Sequence, residues 1–250
     1  MKKILLALLG IMALTVSKAQ DKDEKKKPDY SKIDLSNRAN DHFMIQYGYD
    51  GWAGTNDSIN PSGFSRHFNF YFMYDKPFKS NPHYSIGIGL GFGGSNIFFK
   101  NTYVNLKSLT PQLPFTNVST TIPLNAHKFD KYKLTTTYLE VPLEFRFAGN
   151  PVTPDKGVKA SLGIKGGFLL KAYTKAKNEL NATGNTLYGK NYIMKEVEKH
   201  YINSTRLAVT GRIGYGFISI DGSYQLTGFL KSGAGPTINP WSIGLTLSGL

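Results

Sequence analysis

The chain has no cysteine among its 250 residues. That absence excludes disulfides, thiolate zinc sites, a cysteine nucleophile and a lipidated N-terminal cysteine together. Charged residues are few, 19%, so the chain is not a disordered polyelectrolyte. Past Val16 there is no long apolar run. Such a run would be arrested at an inner membrane, whereas alternating strands cross a periplasm and close their hydrogen bonds only when a barrel forms. What is abundant is glycine, 26 residues, with 16 Phe and 15 Tyr. That combination points to strands and turns rather than helices, and the length fits one large all-β domain or two small ones.

The N-terminus reads as an address. Met1-Lys2-Lys3 is followed by an apolar run from Ile4 to Val16, then Ser17-Lys18-Ala19. The run is too short for a bilayer core, which needs about 20 residues. Ser17 and Ala19 suit the small-residue positions of signal peptidase, so residues 1–19 are expected to be a cleaved signal peptide of an exported bacterial protein. Residues 20–40 mix charges of both signs with no apolar period, as in Asp21-Lys22-Asp23-Glu24-Lys25, and read as a flexible periplasmic tether. Residues 41–250 form the expected folded domain.

From His42 onward the hydropathy period is two. Eight segments show it, over residues 42–50, 67–75, 84–93, 138–147, 161–171, 206–215, 218–227 and 241–248. In the third, Tyr84, Ile86, Ile88, Leu90 and Phe92 alternate with Ser85 and four glycines. In the fourth, Leu139, Val141, Leu143, Phe145 and Phe147 oppose Tyr138, Glu140, Pro142, Glu144 and Arg146. The stretch before it, Lys131 to Thr137, slips phase and predicts a bulge. In the fifth, Leu162, Ile164, Phe168 and Leu170 oppose Ser161, Gly163, Lys165, Gly167 and Lys171.

Alternation of this kind has two opposite solutions. A soluble barrel turns its apolar face inward; a membrane barrel turns it to lipid and lines a narrow lumen with polar groups. The polar face favours the second solution. A closed eight-stranded barrel has little interior room, and small residues recur on that face together with mid-strand charges. Connection lengths agree, because they alternate long and short around the chain, as a membrane barrel with both termini in the periplasm requires. The expected fold is therefore all-β: an eight-stranded antiparallel up-and-down transmembrane β-barrel in the outer membrane.

On this orientation Glu140, Glu144, Arg146, Lys165, Arg206, Arg212 and Asp221 are expected to form a polar network in the lumen, since buried like charges need partners. Tyr84, Tyr215, Tyr224 and Trp241 near strand ends are expected to form aromatic girdles at the headgroups. The alternatives for the network are a salt-bridged plug and an ion pathway.

Taken together, the Tyr138-Leu139-Glu140-Val141-Pro142-Leu143-Glu144-Phe145 run, the glycine-rich Gly87-Ile88-Gly89-Leu90-Gly91-Phe92 strand and the paired terminal strands from Arg206 to Leu250 resemble the PorT-like outer-membrane β-barrels of the Bacteroidetes. Pro142 is unusual inside a strand. The resemblance covers about Asp41 to Leu250. It implies an eight-stranded barrel of the OmpA or OmpX type and, more distantly, an accessory role in type IX secretion. One departure is the C-terminus: Leu250 is neither aromatic nor in phase with Trp241, Ile243, Leu245 and Leu247.

Signals for catalysis are weak. Gly89 to Gly94 satisfies G-x-G-x-x-G, but no helix opens after it to hold a pyrophosphate. His42, His67, His83, His127 and His200 have no metal-ligand spacing, and Glu196 to His200 lacks the two histidines of the H-E-x-x-H zinc motif. Asp50 and His67 approach each other near the first connection, with Ser65 close in sequence, but no third group is positioned. No cofactor or metal is expected. The formal charge of +13 is spread over loops and tether, so nucleic acid is not an expected partner; lipid and lipopolysaccharide of the outer membrane are. The apolar part of the loop from Asn181 to Tyr201 is expected to form a short helix, a lid or a contact for an envelope protein. The expected role is structural or interactive and non-enzymatic, in secretion or envelope maintenance. The rivals are a small pore and a barrel protease or acyltransferase.

Overall fold

A computed structural model describes residues 35, 38, 42–55, 59, 61–119, 122–123 and 126–249. The expected signal peptide, most of the tether and Leu250 lie outside the described residues. The first strands are β1 (Phe43–Ala53), β2 (Arg66–Pro77) and β3 (Tyr84–Phe99). Two short strands, β4 (Thr102–Val104) and β5 (Phe115–Asn117), pair only with each other. Then come the long strands β6 (Lys128–Ala148) and β7 (Val158–Leu180), and a short β8 (Ile193–Val197). The chain ends with β9 (Thr205–Tyr215), β10 (Ile218–Gln225) and β11 (Asn239–Ser248).

Every pairing is antiparallel, in the order β6-β3-β2-β1-β11-β10-β9-β7, and β6 pairs with β7 to close eight strands into a cylinder. β8 adds a ninth strand to the upper part of β7. The connections at the rim holding the start of β1 and the end of β11 are short, at 78–83, 149–157 and 216–217. The tightest is helped by Gly216, whose φ of 61° places it in the left-handed region. Those at the other rim, 54–65, 100–127, 181–204 and 226–238, are long.

Through the lower barrel the apolar residues point outward. Ile86, Ile88, Leu90 and Phe92 on β3, Val141, Leu143 and Phe145 on β6, and Ile243, Leu245 and Leu247 on β11 are all exposed, while Ser85, Glu140, Glu144, Thr246 and Ser248 are buried. This is the membrane solution of the alternating pattern. The inward glycines are matched to bulky neighbours: a Cβ on Gly93 would land on Glu140 and Arg206, and one on Gly91 would strike the Phe70 carbonyl and Tyr71. Pro142 faces inward on β6, and the β3–β6 ladder has no pairs at Gly89 and Leu90, opposite Pro142 and Val141. The missing donor is thus absorbed by a local gap in one ladder.

Three strands run past their expected limits. β3 continues to Phe99, β6 starts at Lys128 and β7 ends at Leu180. Their upper parts were hidden because the chemistry of the two faces exchanges. Below, the inside is polar and the outside apolar. Above, Ile97, Phe99, Tyr132, Leu134, Ala172 and Ala176 are buried inside, and Lys131 and Lys177 are exposed outside. On β6 the alternation itself never slips: Tyr132, Leu134, Tyr138, Glu140 and Glu144 all face inward. What looked like a phase slip before Tyr138 is a change of polarity. A register shift does occur there, between Thr137 and Tyr138, and the extra residue belongs to β7, because Thr137 faces Lys171 and Tyr138 faces Leu169. Leu170 is the bulged residue. In consequence Lys171 is exposed rather than on the inner face where simple alternation put it, and Leu169 is buried. The Asn181–Tyr201 loop carries strand β8 instead of a helix.

The crowding of the inner face generates a paired prediction. Gly91→Val should cost about 1–3 kcal/mol through overpacking and lower the temperature at which the folded barrel loses its fast mobility in detergent gels. Gly166→Val, where an added Cβ meets nothing within 4 Å, should leave that temperature unchanged.

Candidate functional site

The lumen is filled by two tiers of charge. In the upper tier Glu140, 0% exposed, is met from three other strands. The Tyr71 hydroxyl of β2 donates to Oε2 at 2.6 Å, the Arg206 Nε of β9 donates to Oε1 at 2.5 Å, and the Lys165 Nζ of β7 lies 3.5 Å from Oε2. Lys165 also donates to the Tyr71 hydroxyl at 3.2 Å. In the lower tier Glu144 accepts from Arg146 Nε at 2.8 Å and Arg212 Nη2 at 3.0 Å. Arg212 extends to Ser161 and Ser248, and Lys159 donates to Ser248 Oγ at 3.2 Å. Near the terminal rim Asp75 accepts from Arg38 at 2.7 Å and from Ser85 at 2.7 Å, with Arg146 3.4 Å away.

A further row of hydrogen bonds runs across neighbouring strands of the wall. Asn69 donates to Gln46, Gln46 to Thr246, and Thr246 to the Asp221 carboxylate at 2.7 Å. Asp221 also lies opposite Arg212 in the β9–β10 ladder. Of the seven residues expected in the network, Glu140, Lys165 and Arg206 thus meet in one tier and Glu144, Arg146 and Arg212 in the other, while Asp221 accepts from Thr246 in the separate row. Tyr71, Asp75 and Lys159 were not anticipated. Neither was Arg38: inside the stretch read as a tether, it is buried and also donates to the Pro82 carbonyl at 3.2 Å. Its side chain lies at the terminal end of the lumen beside Asp75.

Higher in the lumen His67 Nδ1 is 2.8 Å from Asp50 Oδ1, and Ser95 donates to the other oxygen of Asp50. His67 Nε2 is buried with no hydrogen-bond partner among the described residues. Ser65 Oγ instead accepts from the Phe98 amide at 3.0 Å. The pair therefore lacks a hydroxyl on the nitrogen that would activate one. The cavity beside it is about 50 Å³, lined by Asp50, His67, Lys165 and Arg206 among others.

Above the charged tiers lies an apolar cap, built from the long connections, of which only the 181–201 stretch was expected to form a lid. Trp52, Tyr103, Val104, Leu106, Leu113, Tyr201, Phe229, Leu230 and Ile238 join the upper strand residues in one apolar core. Trp52 packs 4.8 Å from the Phe229 ring and 5.6 Å from that of Phe99. Backbone pairing ties the loops together: the Leu113 amide donates to the Ala234 carbonyl, and the Tyr201 hydroxyl to the carbonyls of Ser108 and Thr110. Tyr132 seals the floor of the β4–β5 hairpin by donating to the Val104 carbonyl at 2.7 Å. Tyr138 separates cap from plug. Its ring lies 4.2 Å from the Arg206 guanidinium, and its hydroxyl donates to the Asn203 carbonyl.

This inside-out cylinder with a polar interior matches, over residues 30–231, the family described as outer membrane protein beta-barrel domain. The chain belongs to that family. Among solved structures, the outer-membrane barrel is similar to Ail, the attachment invasion locus protein of Yersinia pestis. The identity is 13%, the match covers 82% of this chain and 95% of that one, and the TM-score is 0.34. A complex of Ail with the heparin analogue sucrose octasulfate gives 14% identity, 82% and 96% coverage and a TM-score of 0.33. Likeness at this level carries no functional inference. No curated protein matches the chain.

The cap is built from the long connections, at the rim opposite the short ones. Tyr84 and Tyr215 are exposed at the rim of the short connections. Tyr224 and Trp241, opposite each other in the β10–β11 ladder, are exposed toward the outer end.

Two predictions follow from the filling. Glu144→Leu leaves Arg146 and Arg212 without their shared carboxylate, and breaking a buried pair costs about 3–5 kcal/mol; heat-resistant gel mobility should be lost at a clearly lower temperature. In the cap, burial together with the Glu196 and Glu179 carboxylates pushes the Tyr103 phenol up to about 12. An unfolded tyrosine ionises near about 10. The contribution of this group is therefore complete below that pH and lost as pH rises through the folded value. Protease cleavage within residues 105–113 should increase between about pH 10 and 12, and less so in Tyr103→Phe.

Proposed function

We propose that this outer-membrane barrel is a closed, non-enzymatic interaction or structural protein that works through its extracellular surface. The observation that carries this reading is the double filling of the lumen. Ions would meet the apolar cap and then two tiers of paired charge, with only about 50 Å³ of cavity beside the upper one. Eight strands give an interior that side chains fill, so the small-pore alternative loses its path. The network acts as a plug that holds the wall closed, not as an ion pathway. Against an enzyme stands the Asp50–His67 pair, which has an orienting carboxylate but, among the described residues, no hydroxyl on His67 Nε2.

Exposed Tyr84 and Tyr215 at one end and Tyr224 and Trp241 at the other are placed to hold the barrel in the two headgroup layers. Export by a cleaved signal peptide over residues 1–19 fits this location. A secretion-accessory role rests on the PorT-like resemblance of the Tyr138–Phe145 run and would need a partner at the cap or the β8 edge.

Planar-bilayer recording of the purified barrel tests the reading. No steady single-channel steps are expected. Large regular steps from the intact chain would overturn it.

A further inference from the structure

The outer face of the upper sheet carries a row of like charges that a counter-ion would stabilise. Lys133 on β6 stands directly opposite Lys175 on β7, and Lys175 opposite Lys195 on β8. Lys131 stands opposite Lys177. Like charges facing each other across a ladder are destabilising. Arg66 joins the row from β2: its guanidinium lies 5.2 Å from the Phe98 ring, and the Lys133 ammonium is 5.7 Å from the same ring. Among the described residues, none of these six cations has a carboxylate partner. Lys133 donates only to the Asn96 side-chain carbonyl, at 2.6 Å. Between the side chains runs a groove of about 320 Å³ with Phe98 and Tyr132 in its wall.

The position of the row selects its occupant. It lies on the same outer face as the lipid-facing belt and in line with it. On β7, Phe168 and Leu170 lead through Lys171 and Tyr173 to Lys175 and Lys177. On β6, Leu139 leads through Thr137 and Thr135 to Lys133 and Lys131. Leu139 and Lys133 are six positions apart, about 20 Å along the strand and less along the membrane normal because barrel strands tilt. An amphiphile whose chains rest on the belt would bring its headgroup to the cations. A soluble anion has no need of that alignment.

We infer that Arg66, Lys131, Lys133, Lys175, Lys177 and Lys195 form a binding site for the phosphorylated sugar headgroup of an outer-leaflet glycolipid, with its acyl chains lying against Leu139, Phe168 and Leu170. The inference rests on the proposed outward-working barrel and gives it a specific ligand class.

The test uses the full chain in phosphatidylcholine nanodiscs, with phosphorylated lipid A and the same lipid dephosphorylated as probes and native mass spectrometry as the readout. Phosphorylated lipid A should be retained in preference. Lys133→Gln with Lys175→Gln should weaken it about thirtyfold, roughly fivefold per lysine, while Lys190→Gln with Lys199→Gln, on the exposed loop, changes nothing. Should the first pair lose heat-modifiable mobility, Lys131→Gln with Lys177→Gln provides the same comparison in a folded barrel. Equal retention of the two lipids, or wild-type affinity in a folded lysine variant, overturns the site. Displacement of the lipid by inorganic phosphate at equal concentration would assign the groove to free phosphate and overturn it too. Since closure of the lumen is read by conductance, these results would leave the closed-barrel reading standing.

Discussion

Glu140 is removed from solvent at the centre of the cylinder, and the groups that neutralise it come from three other strands: Tyr71 from β2, Lys165 from β7 and Arg206 from β9. A carboxylate in such a place is tolerable only when those partners are present together, and they are together only when β6 and β7 have closed the sheet. The tier is therefore a consequence of closure and a condition for it. Glu144 repeats the arrangement below with Arg146 and Arg212. The glycines of β3 belong to the same constraint, since Gly87 and Gly93 leave the space that Arg146, Glu140 and Arg206 occupy.

The lower barrel is legible in the sequence because its two faces differ in the simplest way, apolar against polar, at a strict period of two. The orientation could be read from the identity of the polar residues, small or paired rather than merely soluble. The upper storey is not legible in the same way. There the inner face turns apolar and the outer face lysine-rich, so a reader following polarity loses the strand at Tyr138 although the backbone continues to Lys128. Lys171 is misplaced for a related reason, since nothing in its neighbours marks Leu170 as the bulged residue. The charged members of the lumen network could be named from their strand positions, but Tyr71 looks like any inward tyrosine, and Arg38 lies in a segment whose composition says linker.

The two storeys also divide the work of keeping the lumen closed by different physics. The plug relies on geometry, because ion pairs out of water are stabilising only with close, complete partnering. The cap relies on area and packing, which are less sensitive to any single contact. Tyr138 belongs to both, with a ring in the apolar core and Arg206 stacked upon it. A barrel with one lesion in either layer keeps the other as a barrier, so closure is better protected than either layer alone would make it.

β6 and β7 pass from the periplasmic rim to the outer tip without interruption, over 21 and 23 residues. At about 3.3 Å per residue each is roughly 70 Å long, and the two are joined along nearly their whole length. A pull applied at the tip would run lengthwise down this pair of ribs and stress many ladder bonds in shear at once, instead of peeling them open one at a time. The projecting sheet is thus mechanically continuous with the wall embedded in the membrane, a stiff mast rather than a flexible loop.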